Sequence, residues 1–89
     1  MVWNIKFDPA AKRELSRLDA QITRRILQFL QERVSVLDDP RGIGEALSGR
    51  QLGQFWKYRV GDYRIISKIE DRDIQILVVK IGHRREVYR

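Results

Sequence analysis

The 89-residue sequence has no cysteine and only one histidine, and these shortages exclude several kinds of site. A chain without cysteine forms no disulfide, zinc–thiolate site, iron–sulfur cluster or thiol nucleophile. A single histidine excludes a site built from several histidines. No apolar run has the length of a signal-peptide core or a membrane helix. We therefore expect a cytoplasmic protein with no metal, no cofactor and no membrane partner.

Basic residues are abundant in the chain. Lysine and arginine number 18 against 12 acidic residues, which gives a net charge of +6, and 43% of the residues are hydrophobic. This length and composition predict one folded domain over residues 1–89. The excess positive charge favours a polyanionic partner, most often a nucleic acid.

The first half of the chain has the pattern of a strand followed by two helices. Apolar residues alternate over 2–7, which predicts a strand. Asp8-Pro9 is a typical helix start, because Asp8 can cap free backbone N–H groups and proline has none to leave unpaired. Apolar residues at helical spacing then predict helices over 9–18 and 20–37.

The second half changes to the period-two pattern of β-strands. Strands are predicted over 55–60, 63–69 and 74–81. The segment 41–53 is rich in glycine and is expected to be a loop, with at most one helical turn at Glu45–Leu47. The predicted fold is α+β, with an N-terminal strand and a helical hairpin packed on one face of a four-stranded antiparallel sheet.

Two-residue turns at Gly61-Asp62 and Asp71-Arg72 would set the register of this sheet. The first turn places Arg59 opposite Arg64 on the face away from the helices. Like charges directly opposite each other destabilise a sheet by a few tenths to about 1 kcal/mol. Folding alone gives no reason for such a pair, whereas a multivalent anion would offset its repulsion.

The same register predicts a cationic cluster on an apolar floor. The turn at Asp71-Arg72 would pair Arg64 with Val79 and Ile66 with Leu77, and it would bring the chain after residue 81 back towards the arginine pair. The predicted cluster consists of Lys57, Arg59, Arg64 and Arg84, with His83, Arg85 and Tyr88 beside it and Ile66, Leu77 and Val79 as the floor. Taken one by one, these cations also fit an ordinary solvated sheet face. Trp3 and Trp56 are expected in the core.

Three segments together resemble the RelE/ParE superfamily of bacterial type II toxins, and most closely its RelE branch. They are Leu47-Ser48-Gly49, the run from Phe55 to Ile66 with its Tyr-Arg-Val-Gly-Asp-Tyr-Arg core, and Gly82-His83-Arg84-Arg85-Glu86-Val87-Tyr88. The start Phe7-Asp8-Pro9 also fits, so the resemblance extends over residues 2–88. It implies a fold like that of the small microbial ribonucleases.

The resemblance to the RelE branch also implies an activity and partners. The activity is cleavage of mRNA in the ribosomal A site, which would inhibit translation and growth. The partners would be the 70S ribosome with its mRNA and an acidic, RelB-like antitoxin through which the toxin oligomerises. By position, the resemblance assigns the catalytic set to Lys57, Arg59, Arg64, Arg84 and Tyr88. The further basic residues Arg50, Lys68 and Arg85 are expected to contact RNA.

RNA cleavage without a metal requires a base for the attacking 2′-OH, cations for the phosphorane-like transition state and an acid for the leaving 5′ oxygen. Arg64 and Arg84 suit charge stabilisation, since guanidinium groups match phosphate oxygens. Lys57 is a candidate base, because neighbouring cations favour the neutral amine of a lysine. Arg59 stands where relatives often have lysine and cannot readily take a proton. His83 is the alternative base.

Two other functions remain open from the sequence. ParE-type members share the fold but poison gyrase, and they generally lack the complete cationic set. A basic module that binds only RNA or its antitoxin is the third reading.

Overall fold

The computed structural model describes residues 2–47 and 54–86, which form two helices and a five-stranded sheet. The sheet order is β1-β5-β4-β3-β2. The elements are β1 (Asn4–Phe7), α1 (Pro9–Ser16), α2 (Ala20–Phe29), β2 (Glu45–Ala46), β3 (Phe55–Val60), β4 (Tyr63–Glu70) and β5 (Gln75–His83). No helix in these described ranges is long and apolar enough to cross a membrane.

The α+β class is as predicted, but the prediction of a four-stranded antiparallel sheet is wrong in two respects. β1 pairs with β5 in parallel, so the sheet is mixed. Alternation along β1 predicts a strand but carries no information about its partner. The fifth strand, β2, has two residues in the segment expected to be a loop, and the predicted helical turn there is absent. A two-residue strand is too short to show a period; its pairing with β3 defines it.

Both predicted helices form, with shorter ends than expected. Asp8 and Asp19 cap them, since their carboxylates accept hydrogen bonds from Ala11 N and Gln21 N at 2.8 Å each. α1 ends at Ser16 rather than residue 18. α2 continues into a π-helical turn over Leu30–Val34 and stops before residue 37.

Ser35 explains the early end of the second helix. Its backbone N donates to Leu30 O at 2.8 Å, and its hydroxyl donates to Gln31 O at 2.6 Å. The Ser35 carbonyl accepts from Trp3 N at 2.8 Å and so joins the helix end to the chain just before β1. The bond from Trp3 takes up the Ser35 carbonyl that a longer helix would use, and Val36 beyond it is 53% exposed.

The core lies between the helices and one face of the sheet. Tyr58 and Ile65 contribute to it from the first hairpin, and Ile26 and Leu30 from the second helix, all with no exposed surface. Trp3 is buried, and Trp56 packs against the core, as predicted. Removing this apolar surface from water is the main stabilising contribution to the fold.

The first hairpin has the predicted register. Val60 pairs with Tyr63, and Arg59 with Arg64, across the Gly61-Asp62 turn. Gly61 has a φ of 59°, in the left-handed region that glycine adopts without steric cost. The register therefore follows from the two-residue turn, since a slip by one residue would exchange the two faces of the strand.

The predicted register of the second hairpin is wrong. A short 3₁₀ turn over Asp71–Asp73 and Ile74 in the left-handed conformation replace the expected two-residue turn, so that Glu70 pairs with Gln75. Asp71 is held there by Arg41, whose Nη1 and Nη2 donate to its carboxylate at 3.1 and 2.7 Å. This contact lowers the pKa of Asp71.

A β-bulge shifts the second hairpin once more. Ser67 pairs with Val78, but Ile66 pairs with Lys80, so Val79 has no partner on β4. As a result Arg64 pairs with Gly82 rather than with Val79, and Ile66 with Lys80 rather than with Leu77. A bulge is not encoded by a turn motif, and counting residues from the turn therefore fails beyond it.

Candidate functional site

The sheet face away from the helices carries a group of cations that we call the cationic face. Cross-strand partners share a face. Arg59, Arg64 and Gly82 form one row across β3, β4 and β5, and Lys57, Ile66 and Lys80 form the next. A third row joins Phe55, Lys68, Leu77 and Lys6. The cationic face thus consists of Lys6, Lys57, Arg59, Arg64, Lys68 and Lys80.

The predicted arginine pair lies at the turn end of this face. Arg59 has a side chain that is 60% exposed. Arg64 is half-buried, and its Nη1 donates to Gly61 O at 3.1 Å and to Tyr63 O at 3.0 Å. These two bonds hold the Arg64 guanidinium against the backbone of the hairpin turn. They leave donors of the guanidinium fork for an anion.

The floor of the face is Ile66, which is 6% exposed although it lies opposite the core. Leu77 lies on the same face one row further from the turn, as partner of Lys68. The third expected floor residue, Val79, lies in the bulge and is not part of the row. An apolar floor beneath cations lowers the local dielectric, which strengthens their attraction for an anion.

Lys80 belongs to this face, and the sequence reasoning did not identify it. Ile76 and Val78 point to the core, and unbroken alternation would place Lys80 there as well. The bulge at Val79 shifts the alternation by one residue, so that Lys80 lies opposite Ile66 and Ile81 returns to the core. The signal was present in the sequence, because a lysine in phase with core residues requires such a shift.

Glu45 is the second residue that the sequence reasoning missed. β2 places it opposite Lys57, whose Nζ lies 3.3 Å from its Oε2, and Arg59 Nη2 lies 3.6 Å from its Oε1. Its interaction with Lys57, and next the nearby charge of Arg59, lower the pKa of Glu45. The site therefore contains an ionised carboxylate beside two cations.

The chain after β5 returns to the arginine pair as expected. Arg84 N donates to Asp62 O at 2.8 Å, and its Nη1 lies 3.9 Å from Asp62 Oδ1. Arg84 is thus beside the hairpin turn between Arg59 and Arg64. Arg85 is exposed in the turn that follows β5, and Lys68 lies on the cationic face.

His83 lies apart from the cationic face. It pairs with Tyr63, whose ring meets the imidazole edge-on with 5.8 Å between the ring centroids. Its Nδ1 accepts a hydrogen bond from Arg85 N at 3.3 Å. Because neighbours along a strand alternate, the Tyr63–His83 pair and the Arg64–Gly82 pair lie on opposite faces. Two other predicted site residues, Arg50 and Tyr88, lie outside the described residues.

The donor set of the described chain suits anions rather than metal ions. Residues 2–47 and 54–86 contain no group of three or more histidine, aspartate or glutamate side chains that could hold a metal. Guanidinium and ammonium groups instead provide hydrogen-bond donors only, the chemistry that recognises phosphate.

Comparison with known proteins agrees with the resemblance seen in the sequence. Toxin RelG of Mycobacterium tuberculosis is 27% identical over 89 residues, covering 100% of this chain and 99% of that protein. A RelBE toxin–antitoxin complex of the same organism contains a chain of similar fold, with a TM-score of 0.84, 24% identity and coverage of 97% and 95%.

A mutant of the E. coli toxin RelE in the free state superposes with a TM-score of 0.73 at 26% identity, covering 99% of this chain and 92% of that one. The family model of the ParE toxin of type II toxin–antitoxin systems matches residues 5–88. The match extends from β1 through the chain that follows β5. The chain therefore belongs to the ParE toxin family, within the RelE/ParE superfamily of type II toxins.

Proposed function

We propose that this toxin is a ribosome-dependent endoribonuclease that cleaves mRNA in the A site without a metal ion and so inhibits translation and growth. The observation that supports it is the cross-strand pair of Arg59 and Arg64 on the helix-free face. Two guanidinium groups at adjacent sheet positions repel each other, and a phosphate between them would offset that repulsion.

In the proposed reaction the 2′-OH of a nucleotide attacks the adjacent phosphorus while the bond to the 5′ oxygen breaks. The hydroxyl proton passes to a base, and the leaving oxygen receives a proton. The products are a 2′,3′-cyclic phosphate and a 5′-OH. Arg64 and Arg84 would stabilise the added negative charge of the transition state, and Arg59 would hold the phosphate. Tyr88 would stack on a base or orient the phosphate.

Two groups on the cationic face are candidates for the base. Lys57 is the candidate from the sequence. Glu45 is the candidate from the structure, because its carboxylate lies on the same face and is ionised at neutral pH, although the cations that lower its pKa also weaken it as a proton acceptor. Lys57 Nζ, at 3.3 Å, would then orient this carboxylate. His83 is disfavoured by its pairing with Tyr63 on the other face.

The proposed partners follow from the family and from the charge. Toxin–antitoxin complexes are among the structures of similar fold, including the intact E. coli RelBE complex. We infer a RelB-like acidic antitoxin that covers the cationic face or the helices and provides the contacts for oligomerisation. The site of action would be the cytoplasm, where translating ribosomes are found.

Toeprinting on translating ribosomes tests the activity. The wild-type toxin should produce cuts at the codon in the A site and none on free mRNA. Arg64→Ala should reduce the cleavage rate ten- to a thousandfold, as for the loss of one charge stabiliser. Arg72→Ala is the matched control, since Arg72 is exposed in the β4–β5 loop and should leave the rate unchanged. Cleavage by Arg64→Ala at the wild-type rate would refute the catalytic role.

The pH dependence of single-turnover cleavage tests the base. Glu45→Gln should lower the rate on the order of 10²- to 10⁴-fold and remove the acidic limb of the profile. In the wild type this limb should lie below the usual titration range of glutamate, because the neighbouring cations lower the pKa of Glu45. A rate retained in full by Glu45→Gln together with a large loss of rate in Lys57→Ala would return the role to Lys57.

A gyrase poison is the second candidate function. The family whose model matches the chain is named for ParE, and Arg59 replaces the lysine common in the RelE branch. Such a toxin would leave mRNA intact on ribosomes and produce cleaved supercoiled DNA in the presence of gyrase. The two assays, performed on one protein preparation, separate the candidates.

A further inference from the structure

A second basic groove lies around the sheet edge from the cationic face, between α2 and the turn end of β3. It has a volume of about 340 Å³, and its lining includes Arg25, Phe29 and Arg33 from the helical side and Arg59 and Gly61 from the hairpin. β2 pairs only with Lys57 and Trp56, so it does not cover β3 at this end.

The groove is joined to the cationic face through one glycine. A Cβ on Gly61 would lie 3.2 Å from Arg25 Nη1, so the absence of a side chain lets this guanidinium lie against the turn. The carbonyl oxygen of the same glycine accepts from Arg64 Nη1 at 3.1 Å. Arg59 lines the groove and also belongs to the cationic face. The positive charge is therefore continuous around the edge of the sheet.

Only one of the three arginines in the groove, Arg59, forms an ion pair within the described residues, with Glu45. Arg25 and Arg33 form no ion pair with any carboxylate in the described part of the chain. Glu32 is the acidic residue in the lining, against three arginines. Arg25, Phe29 and Arg33 all line the groove from the helical side, so that an aromatic ring and two guanidinium groups share one surface.

We propose that this groove binds the phosphodiester backbone of single-stranded RNA, one or more nucleotides away from the phosphate held by Arg59 and Arg64. Guanidinium groups bind phosphate oxygens through paired hydrogen bonds, and the solvent-facing part of the half-buried Phe29 ring can support a base or ribose. A polymer with a phosphate at every residue can occupy the groove and the cationic face together. The inference rests on the proposed function in taking RNA as the ligand.

Binding of a fluorescent, 2′-O-methylated RNA hexanucleotide to the purified toxin tests this, because the methyl group blocks cleavage. Fluorescence anisotropy would be measured over a series of salt concentrations for the wild type, Arg25→Gln and Arg33→Gln. The matched control is Arg24→Gln, which removes the same charge from the same helix. Arg24 lines the apolar groove between the two helices instead.

Arg25→Gln and Arg33→Gln should each weaken binding several-fold and reduce the slope of log K against log salt by about 0.7, the value for one lost phosphate contact with a single strand. Arg24→Gln should change the slope by much less. Equal changes of RNA affinity in Arg24→Gln and Arg25→Gln, or no change in either, would refute the proposal that the groove binds RNA. The proposal would also be refuted if Arg25→Gln bound an acidic peptide more weakly but bound RNA as tightly as the wild type. That result would assign the groove to a protein partner.

The outcome can be separated from that of the endonuclease proposal, because binding is measured without cleavage. If the toxin cuts mRNA but binds RNA independently of Arg25 and Arg33, the endonuclease proposal stands and only the RNA-binding role of the groove is refuted. If the toxin binds RNA through Arg25 but produces no cuts in toeprinting, the endonuclease proposal is refuted and the RNA-binding role of the groove stands.

Discussion

Tyr58 joins the core to the loop that leads to Glu45. Its ring is buried and meets Phe29 edge-on, with 6.2 Å between the ring centroids. Its hydroxyl donates to Pro40 O at 2.7 Å. Gly44 lies against the same ring, since a Cβ there would be 3.0 Å from Tyr58 Cε1. One buried phenol therefore positions the chain just before the short strand that carries the site carboxylate.

Tyr58→Phe should destabilise the protein by about 0.5–1.5 kcal/mol, because it removes the buried hydrogen bond from the phenol to the carbonyl of Pro40. Urea unfolding followed by tryptophan fluorescence gives the free energy of unfolding. Tyr63→Phe is a suitable control, as it removes a hydroxyl from a half-buried tyrosine on the same hairpin. An unchanged midpoint for Tyr58→Phe would show that the Pro40 bond contributes nothing.

The same phenol predicts a loss of stability in alkaline solution. Burial raises the pKa of Tyr58 to about 12. In the unfolded chain a tyrosine titrates near about pH 10. Between these values the folded protein retains a proton that the unfolded chain has released, so stability falls as the pH rises. Wild type should lose roughly 2 kcal/mol more than Tyr58→Phe over this interval; parallel curves for both proteins would contradict it.

At the scale of elements, the bulge in β5 decides which residues of that strand reach the cationic face. It keeps Ile76 and Val78 in the core on one side and Ile81 on the other, and it leaves Lys80 in the row with Ile66. The bulge therefore lets the apolar residues on both sides of it face the core while Lys80 lies on the cationic face.

Deletion of Val79 should be tolerated. The remaining residues of β5 can then pair regularly with β4, with Lys80 still opposite Ile66 and Val78 still opposite Ser67. The expected cost is about 1–2 kcal/mol, the free energy of burying one half-buried valine side chain. Thermal unfolding monitored by circular dichroism measures it.

The matched control is deletion of Ser67 from β4. This change brings Lys68 next to Ile66 in the strand and so into the phase of the core, where a lysine is strongly disfavoured. It should prevent folding. If deletion of Val79 unfolds the protein as completely as deletion of Ser67, the fold itself requires the bulge, and its role is not limited to setting which residues of β5 face the core.

At the scale of the whole molecule, the net charge of +6 is concentrated in space. One sheet face carries six cations, and its edge adds Arg25 and Arg33 from the second helix. A partner that neutralises this surface must be acidic and must extend over the sheet or around its edge. This agrees with the antitoxin proposed above.

Induced expression of the toxin should stop growth, and co-expression of an acidic RelB-like antitoxin should restore it. Incorporation of labelled methionine should fall before that of labelled thymidine, because the proposed target is translation. Arg64→Ala should be non-toxic at the same level of folded protein, and Arg72→Ala should remain toxic. An earlier fall of thymidine incorporation would favour the gyrase poison instead.

The sequence by itself determined the helix starts and the register of the first hairpin, which depend on local pattern. Asp8 and Asp19 cap helices because a short carboxylate before a helical stripe has free N–H groups within reach. Gly61-Asp62 fixes the pairing of Arg59 with Arg64 because a two-residue turn leaves one register. The family motifs indicated the superfamily correctly.

Only the tertiary structure decided what depends on contacts between distant segments. The parallel partner of β1 and the two-residue strand at Glu45 have no local signature, and the position of the bulge at Val79 is set by the pairing of β5 with β4. Each is defined by hydrogen bonds to a strand that is distant along the chain or by the need to keep a neighbouring residue in the core. For this reason the positions of Glu45 and Lys80 on the cationic face, and of His83 on the opposite face, follow only from the folded chain.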